Sequence, residues 1–150
     1  GNLYQDDLLN FKINKKYDVI ISMFAVFNHL KSYSDFEKGI LNLYEHLNDN
    51  GIIIIDLHNG RKSGEKETEI GNAKRIMKWH FNSETFIETT NLTYLINDKQ
   101  YDDVHIFLIY ELEKLKNMLN LLNLQYDFYE NYSFEAANDL SKNIQIVIRK

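Results

Sequence analysis

Cysteine is missing from this 150-residue chain, which excludes a disulfide framework, a thiolate zinc site and a cysteine nucleophile. That absence fits a reducing compartment, and the expected location is the cytoplasm. Long apolar runs are missing as well. Residues 52–55, IIII, are far too few to cross a bilayer, and the N-terminal residues carry no basic-then-apolar signal. No membrane partner is expected. Positive charge is in deficit: 17 Lys and Arg stand against 22 Asp and Glu, giving a formal net charge of −5. The lysines are scattered among carboxylates and form no basic stripe of the kind phosphate backbones require, so nucleic acid is not an expected partner. Proline is absent too, a compositional bias to which no function attaches.

What remains is 44% hydrophobic and 13% aromatic, enough to pack one core at this length. The organising stretch is residues 17–30, YDVIISMFAVFNHL. Val19, Ile20 and Ile21 show no polar alternation, which predicts a strand buried on both faces, and Ser22, Met23, Phe24, Asn28 and His29 follow in a turn. In open α/β sheets ligands bind beyond the carboxyl ends of such strands, so function is sought between Ser22 and Leu30.

Upstream, Asp6 and Asp7 precede Leu8, Leu9 and Phe11, a solvated entry whose leucines cap the core. Downstream, Ser34 and Glu37 predict a capping box opening a helix with Phe36, Ile40, Leu43 and Leu47 on one face. Asn42 is expected on its exposed side. Residues 48–51, NDNG, stop the helix, and GIIIIDLH is a second strand apolar on both faces, ending in Asp56, His58 and Asn59. Strand, helix and strand of this kind make a parallel crossover unit.

Residues 60–73 are polar and glycine-punctuated and read as a loop or lid. Three alternating stretches, 74–81, 85–96 and 103–110, are separated by Asn82-Ser83 and Asn97-Asp98, which predicts a three-stranded antiparallel meander forming an accessory sheet. A helix with Leu112, Leu115, Leu119 and Leu122 on one stripe and two strands, QYDFYENY and NIQIVIRK, complete the chain.

This order of QDDLLNF, KKYDVIISMFAVFNHL, HLNDNG, GIIIIDLH and YELEKLKNMLNLLNL resembles the second half of a class I S-adenosylmethionine-dependent methyltransferase. More narrowly, SMFAVFNHL and DVHIFLIY resemble the amino-sugar N,N-dimethyltransferases and their glycine N-methyltransferase-like relatives. The resemblance implies one incomplete α/β domain over 1–150, the C-terminal part of a Rossmann-like sheet with strands ordered 4-5-7-6, and residues 74–110 as an inserted substrate-side sheet. Two positions depart from the family pattern: Asn50-Gly51 replaces a Pro-Gly-Gly helix stop, and Asn123 replaces a glycine. Asparagine and glycine both tolerate left-handed backbone, so the fold expectation stands. The family's glycine-rich first turn and second-strand acid are absent, implying that about 90 to 100 residues, three βα units, lie in front of Gly1.

The resemblance further implies S-adenosylmethionine as cofactor, with Asp7 accepting from the adenine amino group, Leu8 beneath the ring, Met23 and Phe24 lining the pocket and His29 close behind. Methyl transfer needs an in-line approach and a proton acceptor but no metal, and none of the five histidines pairs at metal-ligand spacing. His46, near a helix C-terminus, is read as a cation favoured by the helix dipole. The candidate bases are His105 and His58. His58 stands with Asp56 at a strand end, where such a fold places substrate, so Asp56, like Asp103 of the later sheet, is expected to contact substrate, and His58 either contacts substrate or stabilises the loop. His105 lies two residues from Asp103 on the same strand face, where the aspartate orients it or forms a solvated polar pair with it. Trp79, Tyr94 and Phe107 are either an aromatic wall for a small-molecule acceptor or core residues.

Two function classes follow: the catalytic half of a methyltransferase acting on an amine, or a non-catalytic interaction module that keeps the fold without cofactor. Loss of the family's first strand would leave residues 17–24 as an unprotected apolar edge. A homodimer, or pairing with the missing half, is the expected partner.

Overall fold

The structure, a computed structural model, describes residues 3–97 and 99–150. It divides into two compact units, one formed by residues up to Asn59 together with Tyr110–Lys150, the other by Gly60–Ile109.

The first unit is built on a four-stranded sheet ordered β1-β2-β8-β7, with β1 Tyr17–Ser22, β2 Leu47–His58, β7 Gln125–Glu130 and β8 Asn143–Arg149. β1 runs parallel to β2, joined through α1 (Tyr33–Glu45), and β8 is antiparallel to both β2 and β7. The core lies on one sheet face. Ile53, Ile55 and Leu57 pair with Ile148, Ile146 and Ile144, and all six are essentially inaccessible to water. Phe36 and Ile40 of α1 and Leu115 and Leu119 of α2 (Leu112–Leu121) are fully buried as well.

The opposite sheet face differs from the expectation of two-sided burial. Val19 and Ile21 are 49% and 59% exposed, and Ile52 and Ile54 are half-buried. β1 is the edge strand of its sheet, so among the described residues nothing pairs with its outer side.

Local details also shift from the sequence reading. The cap of α1 is Ser32, two residues earlier than expected: its hydroxyl accepts from Asp35 N at 3.0 Å and donates to Asp35 Oδ2 at 2.9 Å. Asn42 is buried, not exposed, and its side-chain amide donates to Leu8 O at 3.0 Å. His46 is buried, with its Nδ1 2.7 Å from Asn42 O and its Nε2 accepting from Ile13 N at 3.3 Å.

The helix is followed directly by β2, so residues 48–51 are no free loop. Asn50 takes φ +63°, and the β1 register jumps there from Leu47 to Ile52. Gly51 has ordinary φ. Its hydrogen is needed for space, because a Cβ would sit 2.9 Å from Asn48 O and 3.1 Å from Asp18 O. Asn123, the other glycine substitute, has φ +53°.

The second unit is one antiparallel sheet, β3-β4-β5-β6, with β3 Gly64–Ile70, β4 Ala73–Asn82, β5 Ile87–Ile96 and β6 Lys99–Leu108. It has four strands where three were expected, because the supposed loop at 60–73 contains β3. Its charges pair across the ladder: Glu67 bonds Lys74 at 2.5 Å and Glu65 approaches Lys78 at 3.9 Å. Gly71, at φ +60°, turns the two-residue hairpin between Ile70 and Ala73. The expected Asn97-Asp98 turn falls partly on Asp98, which lies outside the described residues; Asn97 itself has φ +48°. No helix among the described residues is long and apolar enough to cross a membrane.

Candidate functional site

Strained backbone follows the carboxyl end of β1. Phe24 and Ala25 both adopt left-handed conformations, φ +62° and +58°, which non-glycine residues enter at a cost. Three interactions hold them. Phe24 N donates to Asp56 Oδ2 at 3.1 Å, Asn28 N closes a 3₁₀ turn over Val26–His29 by donating to Ala25 O at 3.0 Å, and Phe27 is fully buried. The result displays an aromatic ring: Phe24 is 91% exposed, beside the half-buried Met23.

Asp56 is 4% exposed and serves the fold on all sides. Besides Phe24 N it accepts from the Tyr132 hydroxyl at 3.0 Å and from Gln145 Nε2 at 3.3 Å. Desolvation, reinforced by this carboxylate, holds the Tyr132 hydroxyl above the usual phenol range. Tyr132 and its neighbour Asn131 also have positive φ, +59° and +50°, so the same carboxylate ties two strained turns together. His58 is anchored through its backbone, N to Asn28 Oδ1 and O from Asn28 Nδ2, both at 2.9 Å. His29 is exposed at the end of the same turn.

Asp7 is exposed in a tight turn, where Oδ1 accepts from Leu9 N at 2.9 Å and its carbonyl accepts from Phe11 N. Leu8 is half-buried, and its carbonyl is the acceptor for Asn42. The structure thus brings Asp56, Phe24 and the His58 backbone to one turn, while Asp7 and Leu8 sit on the entry segment. A surface depression lined by residues 12–16 with Glu45 and His46 contains none of the expected site residues.

In the second unit, His105 Nε2 lies 3.1 Å from Asp103 Oδ2 and its ring is 5.8 Å from that of Phe107. Trp79 is half-buried and folds over Gly64, where a Cβ would fall 2.6 Å from the indole. Tyr94 is half-buried opposite Tyr101 and Arg75. The register puts Trp79, Tyr94, Asp103 and His105 on one face of this sheet.

The sequence reading passed over Glu88, Thr90, Tyr132 and Gln145. Glu88 and Thr90 are 3% and 5% exposed on that same face, with Thr90 Oγ1 donating to Glu88 Oε1 at 3.0 Å. The signal was present in TFIETTNLTYLI, where Glu88 and Thr90 alternate in phase with Leu92 and Tyr94. Gln145 and Tyr132 gave none, because their partner Asp56 is 89 and 76 residues away in sequence. Among the described residues no group of three or more His, Asp or Glu side chains could hold a metal ion.

Comparison with known proteins places this fold. No family model matches the chain. A curated relative, the dTDP-3-amino-3,4,6-trideoxy-alpha-D-glucopyranose N,N-dimethyltransferase of Streptomyces venezuelae, is 26% identical over 56 residues, covering 37% of this chain and 24% of the relative. Among solved structures, an S-adenosylmethionine-dependent methyltransferase from Clostridium acetobutylicum matches with a TM-score of 0.83 at 18% identity, over 96% of this chain and 62% of that one. The amino pentose methyltransferase CalS10 from Micromonospora echinaspora, solved with S-adenosylmethionine bound, matches with a TM-score of 0.74 at 11% identity, over 97% and 63%. The chain therefore has the fold of S-adenosylmethionine-dependent methyltransferases, sugar N-methyltransferases among them, and spans less than two thirds of the solved structures it matches.

Proposed function

We propose that this chain is the acceptor-side part of a methyltransferase that transfers the methyl group of S-adenosylmethionine to a small-molecule amine, an amino sugar in the first instance. The fold shared along nearly the whole chain carries the reading. The residues fit the cofactor at the carboxyl end of β1, where the exposed Phe24 ring, Met23 and the 43% exposed Val26 offer an apolar surface to a purine. Asp7 accepts from the adenine amino group, Leu8 supports the ring and His29 closes the pocket.

The cofactor supplies an electrophilic methyl group on a sulfonium, and the chain's task is then positional. Asp56 holds the Phe24 turn in its strained shape. Trp79, Tyr94 and Asp103 face the acceptor, and His105 or His58 removes the amine proton that would otherwise occupy the attacking lone pair. The glycine-rich strand and turn that complete cofactor binding lie outside these 150 residues. They cover the open edge of β1 and the face carrying Val19 and Ile21, unless a second copy does so. The expected compartment remains the cytoplasm. The same exposed edge also favours the second reading, an interaction module without cofactor.

Calorimetric titration with S-adenosylhomocysteine tests the proposal. A longer protein containing the glycine-rich segment binds it in the micromolar range and methylates an amine, and the 150-residue chain binds it more weakly. Absence of binding by the longer protein overturns the methyltransferase reading and leaves the interaction module.

A further inference from the structure

Asparagine is followed by glycine twice in the chain, at Asn50-Gly51 and at Asn59-Gly60. Such pairs carry chemistry of their own: asparagine is a thermolabile side chain, its amide carbon is within reach of the next backbone nitrogen, and glycine has no Cβ to block the approach. In sequence the two pairs look alike, and the structure separates them. Asn59 is 4% exposed, and its Nδ2 donates to Ser141 O at 2.8 Å and to Asp139 O at 3.3 Å. Its backbone N–H is held as well, by Lys142 O at 2.8 Å. Ring closure there would require the amide to leave both acceptors and turn inside a buried site. Asn82, which precedes the small Ser83, is also tied, its Oδ1 accepting from Glu84 N and Thr85 N.

Asn50 is exposed, and its side chain makes no hydrogen bond among the described residues. By contrast, the nearby Asn48 donates to Asp18 Oδ1 at 2.8 Å. Asn50 also stands where the sheet register is interrupted. Pairing with β1 passes from Leu47 to Ile52 and pairing with β8 starts at Ile52, so neither Asn50 nor Gly51 has a register partner in those strands. The moving part of the reaction is the exposed Asn50 side chain; the buried Gly51 supplies only its nitrogen.

We propose that Asn50 is a site of spontaneous covalent modification, converted through a cyclic imide into isoaspartate and aspartate, and that the isoaspartyl form opens the adjoining end of β2. The Gly51 nitrogen bonds to Asn50 Cγ and gives up its proton, the Cγ–Nδ2 bond breaks, and ammonia leaves with that proton. Water then opens the imide. Cleavage at Cγ gives aspartate on an unaltered backbone, whereas cleavage at the main-chain carbonyl gives isoaspartate, in which the backbone runs through Cβ and Cγ and is longer by a methylene. The surroundings decide what this extension does. Asn50 N donates to Lys150 O at 3.1 Å and Gly51 O accepts from Lys150 N at 3.0 Å, so these two hydrogen bonds bracket the lengthened link. Isoaspartate cannot hold both at their present spacing, and the Lys150 backbone is released. Aspartate adds the same negative charge and keeps both.

The test is ageing of the 150-residue protein at mildly alkaline pH in isotopically labelled water, beside a sample unfolded in urea, with proteolysis and mass spectrometry to locate the incorporated oxygen. Asn59 reacts only through opening of its site, so in the folded protein Asn50 should convert at least tenfold faster, with the two rates drawing together in urea. A smaller ratio, Asn59 converting first, or an inert Asn50 in folded protein while the unfolded sample converts both, overturns the assignment. A ratio that persists in urea places the cause in the neighbouring sequence and overturns the structural argument. Amide exchange at Lys150 reads the consequence. It should quicken in the chromatographically separated isoaspartyl form and stay slow in freshly prepared Asn50→Asp, which carries the charge without the methylene. Equal exchange in the two overturns the opening of β2.

Discussion

The carboxylate of Asp56, two residues before the end of β2, accepts the backbone N–H of Phe24 at 3.1 Å, so a side chain near one strand's end holds the neighbouring strand's exit turn in a left-handed conformation. Two further donors, the Tyr132 hydroxyl and Gln145 Nε2, converge on the same group. Asp56→Ala strands these donors and should cost about 1–3 kcal/mol or more of stability. Asp56→Asn keeps one accepting oxygen and should lose less. Urea unfolding measures both, and equal stability of Asp56→Ala and the parent would remove Asp56 as the organiser of the turn.

Gly51→Ala should destabilise more than most glycine substitutions. Its Cβ would be forced against the backbone oxygens of Asn48 and Asp18, which cannot swing aside as a side chain can. About 1–3 kcal/mol is expected, the usual cost of overfilling a packed site. Gly71→Ala is a different test, since nothing lies within 4 Å of its Cβ position and only φ +60° opposes the change. About 1–2 kcal/mol should be lost there. Thermal unfolding of the two variants separates crowding from conformation.

Stability should fall on the alkaline side. The Tyr110 hydroxyl donates to Phe27 O at 2.9 Å, and burial pushes it above the usual phenol range, with smaller contributions from Tyr33 and Asp35. A group whose folded pKa is raised contributes stability that is full below the unfolded value of about 10 and is lost as pH rises toward the folded value. Unfolding followed from pH 9 upward should show this decline, and Tyr110→Phe should flatten it. An unchanged alkaline limb in that variant would mean the titration arises elsewhere.

Self-association should respond to β1. Val19 and Ile21 are the exposed apolar residues of this edge strand, so Ile21→Lys should weaken any dimer more than Ser34→Lys on the exposed side of α1. Sedimentation velocity at about 100 μM compares them, and a clean monomer of the parent would show that the edge is not used by a second copy.

How far the sequence reading reached depended on whether a signal was local. The parallel pairing of β1 with β2 follows from two short runs of β-branched residues separated by a helix-period segment, and the leucine stripe of α2 follows from its spacing. β3 was missed because charge patterning resembles a loop. Its strand character comes from cross-strand Glu–Lys partners and from the Gly71-Asn72 hairpin turn, and the turn was the overlooked clue. The cap fell on Ser32 instead of Ser34 although Ser34 and Glu37 offer the same spacing; the Ser32 hydroxyl accepts from Asp35 N and donates to Asp35 Oδ2. Burial of Asn42 and His46 rests on residues 8 and 13, contacts over a sequence distance at which no local pattern is informative. The candidate residues of the turn were found because strand ends in this architecture are predictable places; Glu88 was not, because a carboxylate in phase with Leu92 reads as solvated until burial is known.

The position of β8 has a kinetic consequence. Residues 143–149 form an interior strand, flanked by β2 and β7, and Arg149 pairs with Ile52. During synthesis the first sheet cannot close until these residues have left the ribosome, whereas the β3–β6 hairpins find every partner within the preceding strands. The inserted sheet is thus free to form first, and β1 and β2 must wait for their seam with apolar edges open. That interval is when a nascent chain of this kind is most exposed to aggregation and most dependent on chaperones.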